Sequence, residues 1–423
     1  MIRIGKPIIE NQGDLVILKA LVVNEAENDQ SWLWYATSKE FGRCFCPETA
    51  DSFVVPMILR AVKTHQDVFV ESELSERLFY YLNNSVFFAV GKAYEKRYGG
   101  RHQSKVIANN LRRVSFDGVH VGTGCSLGVD SFAVLKQYYF DNDVSESYRV
   151  THLSLFNAGA FGGTKNCNNV EGVRDSFFRE VGRVQLFAEQ IGLPVVWVDS
   201  NVRWFYPEGD FNWSHAYLNM GMVLSMQRLW RRYYYASGYS LENLRFDISD
   251  TAYYEPFLLP SLSTESTELV SASMNMSRSD KVRYISLDEI VRKNLYVCLK
   301  EQNRNNPLVK NKYQGEYLNC GRCMKCERTI LQLDILGRLE DFKGVFDLSN
   351  WHQRKRYYIG EVLAGRYKST MLMDLYDSMI ESKYVIPEFS RLYAIKLLAK
   401  EYCWKIRRKL SKIKRRVIRY KTK

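Results

Sequence analysis

The sequence contains no apolar run of about 18 residues, so no membrane-spanning helix is expected. Its opening stretch, MIRIGKPIIENQGDLVILKA, is broken by Lys, Pro, Glu and Asp and does not read as a secretory leader. Histidine is scarce, six in 423 residues, and no Ser-His-Asp hydrolase arrangement is visible. There is no Gly-Lys-Ser/Thr, which excludes a Walker-type phosphate loop. Nine cysteines, an odd number, do not space like a disulfide framework. These absences together lead to the expectation of a folded cytoplasmic protein. Acidic residues are missing from 404–423, WKIRRKLSKIKRRVIRYKTK, which holds eleven Lys and Arg. That segment supplies most of the net charge of +13, so the rest of the chain is close to neutral and no specific nucleic-acid partner is expected.

With 46% hydrophobic residues, the chain is long enough for two or three cores. Residues 1–115 read as a separate α+β domain of unassigned role. DLVILKALVV and WLWYAT have strand character there, and SFVVPMILRAV and SERLFYYLNNSVFFAVGKAYEKRY have helical spacing. From 116 to 335 short apolar strands alternate with helical stretches. GVHVGTG leads into DSFAVLKQYYF, VTHLSLFNAGA into RDSFFREVGRVQLFAEQIG, and LPVVWVDSN into one long helix, SHAYLNMGMVLSMQRLWRRYYYASG. NLRFDIS is a fourth strand candidate. This rhythm predicts an α/β fold with a parallel, doubly wound, Rossmann-like sheet. Ligands in such sheets sit beyond the carboxyl ends of the strands, where GTGCSLGVDS, NAGAFGG and DSNVRWF would lie. Residues 336–423 read as helical, ending in a basic helix. Ile406, Leu410, Ile413 and Val417 recur there at steps of four and three, which suits an anionic membrane surface or another acidic partner, or a solvated extension.

Between strand and helix, VGTGCSLGVDSFAVLK carries a turn that can hold a pyrophosphate. Gly128 lets the backbone come close, the amides opening the helix point at an anion, and Ser126 and Ser131 add hydroxyls. Asp130 repels a bare phosphate and makes sense through a bridging Mg²⁺. A plain Gly/Ser turn capping a helix is the alternative. A second constellation lies far downstream. Cys320, Cys323 and Cys326 in NCGRCMKCERT, with Cys298 in LYVCLKE, can complete a tetrahedral thiolate site for a structural Zn²⁺. An iron–sulfur cluster is the competing reading.

The turn SLGVDS resembles the SGGxDS signature of the PP-loop ATP pyrophosphatases, with Leu127 where that family has its second-position Gly. Together with the downstream cysteines, the chain is similar to the 7-cyano-7-deazaguanine synthase branch over roughly residues 118–330. The resemblance implies an ATP-dependent ligase, forming AMP and pyrophosphate, that activates a carboxylate-type acceptor for attack by a nitrogen nucleophile. It places the pyrophosphate on Ser126, Leu127, Gly128, Val129, Asp130 and Ser131. It adds Asn157, Gly159, Asp199, Ser237 and Gly238 as nucleotide neighbours, with Ser237 and Gly238 expected at the end of a helix. Asp130, Lys281 and Arg278 are its candidate catalytic residues, the last two on a loop, SRSDKVRYIS, beside a second loop, LPSLSTE. ATP, Mg²⁺ and structural Zn²⁺ are the implied cofactors, and a homo-oligomer peripheral to the membrane is a further expectation. Two other functions stay open: sulfur transfer to a nucleobase through Cys125 or Cys167, and a non-catalytic scaffold docked through 404–423.

Overall fold

The structure is a computed structural model that describes residues 1–421 except 114, 166, 168, 208 and 300–316. Eleven strands form one sheet. They are β1 (Ile2–Ile4), β2 (Ile8–Gln12), β3 (Leu15–Asn24), β4 (Asp29–Ser38), β5 (Val68–Ser75), β6 (Val106–Arg112), β7 (His120–Gly124), β8 (His152–Phe156), β9 (Val195–Ser200), β10 (Trp230–Ala236) and β11 (Glu268–Ala272). Strict alternation along β3 buries Val16, Leu18, Ala20 and Val22, as a half-covered strand requires. By contrast β7, β8 and β9 are short and largely buried, as strands covered on both faces must be.

The spatial order is β11-β10-β7-β8-β9-β4-β3-β1-β5-β6, with β2 on β3. From β11 to β9 every pairing is parallel, while β9–β4, β4–β3 and β3–β1 are antiparallel. The parallel part therefore runs third-second-first-fourth-fifth in chain order. Its connections change direction between β7 and β10, and a crevice opens beyond the carboxyl ends of strands at such a point.

The expected boundary near residue 115 falls inside this sheet. Tyr35 and Ala36 of β4 pair with Ser200 and Asp199 of β9. Side chains reinforce that short pairing: Ser200 Oγ donates to Trp34 O at 2.6 Å, Asn201 Nδ2 to Trp32 O at 2.7 Å, and Thr37 Oγ1 to Trp197 O at 2.7 Å. One apolar core runs from Ile2 to Leu269. Within it the helix Asp51–Thr64 contains Pro56, which cannot donate to Ser52 O; the Tyr35 hydroxyl donates to that carbonyl instead, at 2.6 Å. Helix Phe211–Ser225 meets the same proline at Gly221, where a Cβ would lie 2.5 Å from Pro56 Cγ. Buried Asp51 accepts from Ser75 N and Gln227 Nε2, both at 2.9 Å, so a polar network also links the two segments.

The chain divides into two compact units, one of Met1–Ser277 with Leu299–Lys312 and the other of Arg278–Cys298 with Tyr313–Lys423. The second is helical. Its main helices are Arg278–Ile285, Met324–Ile335, Trp351–Gly365, Thr370–Glu381 and Glu388–Lys421, around a core that includes Ile330, Phe342, Phe346, Ile359 and Met379. Among the described residues no helix is long and apolar enough to cross a membrane.

Three expectations are corrected. The long helix read from 214 to 238 is a helix ending at Ser225 followed by strand β10. A continuous apolar run does not separate the two states, and Tyr233, Tyr234 and Tyr235 favour the strand. NLRFDIS forms no strand: Asp247 Oδ1 accepts from Ser249 N at 3.0 Å, a local turn that competes with a ladder. The edge position is filled by β11. SRSDKVRYIS, expected as a loop, is the helix Arg278–Ile285.

Candidate functional site

The turn SLGVDS leaves the carboxyl end of β7, on the side where the sheet order reverses towards β10. Cys125 N donates to Ser154 O at 2.9 Å, extending the β7–β8 pairing one residue beyond the strand. Leu127 then takes φ +55°, the left-handed region that favours glycine. Holding a branched residue there costs about 1–2 kcal/mol. Its side chain is only 3% exposed, and burying a leucine stabilises by about 1.5–3 kcal/mol, enough to offset the strain. Gly128, at φ −85° and ψ 173°, is the N-cap of helix Val129–Leu135, which continues through the single wide turn Lys136–Phe140. Phe132 N and Ser131 Oγ both donate to Gly128 O at 3.0 Å. Cys125, Leu127, Val129 and Ser131 are buried, whereas Ser126 is exposed and Gly128 and Asp130 are partly so. The turn thus seats alternate residues in the core and shows Ser126, Gly128 and Asp130 on its outer side.

Ser237 and Gly238 sit at the carboxyl end of β10, the strand beside β7, and not at a helix end. Ser237 N donates to Ala272 O at 3.0 Å and its hydroxyl to Tyr239 O at 2.5 Å. Gly238 therefore does not end a helix. A Cβ there would lie 3.3 Å from Ala252 Cβ, so close packing favours the glycine.

Near the carboxyl end of β9, Asp199 is buried and both its oxygens are engaged. Oδ1 accepts from Asn157 Nδ2 at 2.7 Å and from Ser200 N at 3.0 Å, and Oδ2 accepts from Arg174 Nε at 2.8 Å. Asp199 therefore orients the Asn157 amide. Gly159 has φ +101°, and a Cβ on it would stand 2.4 Å from Arg203 Cδ. The buried arginine accounts for this glycine without a ligand.

Burial pushes the Cys125 thiol up to about 12, so it is not a ready thiolate. A hydrogen-bonded histidine lies on helix Phe211–Ser225. His215 Nδ1 pairs with Tyr235 OH at 2.8 Å, and Nε2 with Thr251 Oγ1 at 2.8 Å and Asp250 Oδ1 at 3.1 Å. Burial pulls the imidazole pKa down, but the Asp250 hydrogen bond and the charges of Glu255 and Asp250 outweigh it and hold the value above ordinary. At the amino ends of β7 and β8, His120 and His152 lie 4.3 Å apart between ring centres. Burial, then the His120 charge, takes His152 down to about 4.

The second unit brings its four cysteines together. The sulfurs of Cys298, Cys320, Cys323 and Cys326 lie within 4.8 Å of one another, with Cys323–Cys326 at 3.4 Å and Cys320–Cys326 at 4.0 Å. Four thiolates about 2.3 Å from one tetrahedral ion stand about 3.8 Å apart, so the set can hold a metal ion such as zinc. The knuckle is built by Cys323 as N-cap of helix Met324–Ile335, Cys326 in its first turn, and Gly321 at φ +66°. A Cβ on Gly321 would fall 1.8 Å from Asp347 O, so no other residue fits there without backbone movement. Cys320 N points at Cys298 Sγ, 3.5 Å away. Hydrogen bonds from Cys298, Cys323 and Cys326 hold the Cys320 thiol far below its ordinary value. Asn319 delivers the remote ligand: its Oδ1 accepts from Val297 N at 2.8 Å and its Nδ2 donates to Leu295 O at 2.8 Å and Val345 O at 3.0 Å. The only sequence cue to that role is its place next to Cys320.

Arg278 and Lys281 also belong to the second unit, whereas the SLGVDS turn belongs to the first. Both are buried, Lys281 at 1% exposure, on a helix whose opening amide at Ser279 donates to Asp374 Oδ2 at 3.0 Å. Comparison with protein-family models, curated proteins and solved structures finds no match for this chain.

Proposed function

We propose that the chain is an ATP-dependent adenylating enzyme of the PP-loop pyrophosphatase class, with a Rossmann-like nucleotide-binding sheet. One observation carries the reading. The SLGVDS turn lies where the parallel strands change direction, and Leu127, standing where the signature has a glycine, adopts there the left-handed backbone that glycine takes most readily. The relocation of Ser237 and Gly238 to the end of β10 supports it, because the expected nucleotide neighbours then lie on the strand beside the turn.

In the proposed reaction a carboxylate oxygen of the acceptor attacks the α-phosphorus of ATP. The α–β bridging bond breaks and pyrophosphate leaves with that electron pair. A nitrogen nucleophile, ammonia or an amine, then attacks the acyl carbon of the adenylate, and AMP departs. Ser126 and the backbone of the turn would orient the leaving pyrophosphate, and Asp130 would hold the nucleotide's Mg²⁺, which when bound supplies neutralisation of phosphate charge. On the resemblance alone, Arg278 and Lys281 are the cations for the transferred phosphate or the acceptor. Cys298, Cys320, Cys323 and Cys326 take Zn²⁺ as a structural clamp in this reading, because four protein ligands leave no open position. An iron–sulfur cluster would spread its cysteines over two or more irons, so that some of them stand further apart than these sulfurs do. The buried, high-pKa Cys125 counts against sulfur transfer through that residue.

The test is isotope exchange between pyrophosphate and ATP, run with a panel of acids that includes a 7-deazaguanine carboxylate, a uronate and a protein carboxylate. Exchange with at least one acid, and equal release of AMP and pyrophosphate once ammonia is added, is the expected result. ADP formation, or no ATP binding by calorimetry in the presence of Mg²⁺, would refute the proposal.

A further inference from the structure

Over its described side chains, helix Glu388–Lys421 packs by one side against helix Trp351–Gly365. Near its start Ser390 Oγ donates to Arg356 O at 2.7 Å, and Phe389 and Tyr393 meet Tyr357 edge-on at 5.0 and 5.2 Å. Gly360 admits the Tyr393 ring, since a Cβ there would lie 2.8 Å from it. Ala394 is buried in the same contact. A different side carries large apolar groups in the open: Leu392 is 60% exposed, Ile395 62%, Tyr402 67% and Ile406 41%. At 100° per residue these four, with exposed Ala399, fall within an arc of about 80°. In sequence the spacing continues through Leu410, Ile413 and Val417 at steps of four, three and four. Arg391 and Lys396 stand exposed beside the stripe, and Glu401 is the last acid in the chain, ahead of eleven cations in 404–423.

We infer that this helix docks on an anionic lipid surface, lying in the plane of the headgroups with Leu392, Ile395, Ala399, Tyr402 and Ile406 towards the acyl chains. A narrow apolar stripe flanked by Lys and Arg is the composition that binds such an interface, and the two contributions are needed together. Charge decides the occupant. A second copy of the same helix would bring two strongly cationic segments side by side, with Glu388 and Glu401 the only acids in 388–421 to pair across them. Nucleic-acid phosphates would match the cations and leave the exposed leucine and isoleucines uncovered. A surface of acidic phospholipids satisfies both faces. The inference does not depend on the adenylation reading.

The experiment uses the full chain, with vesicles of phosphatidylcholine alone or mixed with phosphatidylserine, scored by co-sedimentation. Binding to the mixed vesicles that falls as salt rises, and little binding to phosphatidylcholine, is expected. Removing cations one at a time by Lys405→Ala, Arg407→Ala and Arg408→Ala should weaken binding about fivefold each. The pair Ile395→Asp and Ile406→Asp should abolish it while the circular dichroism spectrum stays unchanged, since both side chains are exposed. Four outcomes would overturn the inference. They are equal binding to both vesicles, absence of binding by the folded chain, a dimer that the Ile→Asp pair dissociates, or vesicle binding that the pair leaves intact.

Discussion

Leu127 and Gly321 pass through the same left-handed region of backbone, φ +55° and +66°, in two turns that hold chemistry of different kinds. At Gly321 the space for a side chain is taken by Asp347 O, and the turn closes on sulfur ligands that already stand together. At Leu127 the side chain is accommodated in the core, and the turn shows its polar groups outwards. The cysteine knuckle thus depends on glycine for steric reasons, while the candidate phosphate turn tolerates leucine at the cost of backbone strain. A left-handed position becomes intolerant of substitution when the backbone crowds it, not merely because its φ is positive.

The comparison breaks most sharply at Gly321. Gly321→Ala should scatter the four thiolates, so that elemental analysis falls from one metal per chain to none and the helical signal of the second unit is lost. Structural zinc sites in small peptides contribute on the order of 10 kcal/mol to folding, which makes this the largest expected effect. Next is Asp130→Asn, which should leave the circular dichroism spectrum intact and slow pyrophosphate exchange about a hundredfold or more, the loss typical when one charge-stabilising group is withdrawn from a transition state. Retained exchange in that variant would show that the turn does not act on phosphate through Asp130.

Leu127→Gly sharpens the contrast, because two terms oppose each other. The backbone strain of about 1–2 kcal/mol is relieved, and the burial of a leucine, about 2–5 kcal/mol when cavity formation is counted, is lost. Thermal melting should report a net destabilisation of about 1–3 kcal/mol, with exchange activity unchanged or raised. The smallest effect concerns His215, half-buried in the first unit. His215 is held above its ordinary pKa, so its contribution to stability is complete below the unfolded value near 6.5 and is lost as pH rises through the folded value. His215→Gln should flatten the fall in melting temperature between neutral and mildly alkaline pH.

Much of this architecture is legible in the chain itself. The alternation of LVILKALVV, the strand-turn-helix around Gly128 and the knuckle spacing of Cys320, Cys323 and Cys326 each state a local geometry. What escapes a linear reading depends on partners distant in sequence. β10 hides in an apolar run that could have continued as helix, and its strand state comes from insertion between β7 and β11. The junction of β4 with β9 rests on Ser200 and Asn201, whose side chains look like ordinary turn residues until the carbonyls of Trp34 and Trp32 are set opposite them. Asp199 and Gly159, read as nucleotide neighbours, have intramolecular partners in Asn157, Arg174 and Arg203 that no spacing rule announces.

The β4–β9 junction also limits how this protein can be divided or inherited. A cut near residue 115 would leave β9 as a bare sheet edge, strand the Ser200 hydroxyl and the Asn201 amide without their acceptors, and open the seam where Gly221 lies on Pro56. Neither half would keep a finished surface. Recombination that exchanged the first hundred residues for those of another chain would have to re-match a two-residue strand pairing, its side-chain hydrogen bonds and a glycine–proline contact at once. The SLGVDS turn and the N-terminal strands are therefore expected to travel as one hereditary piece.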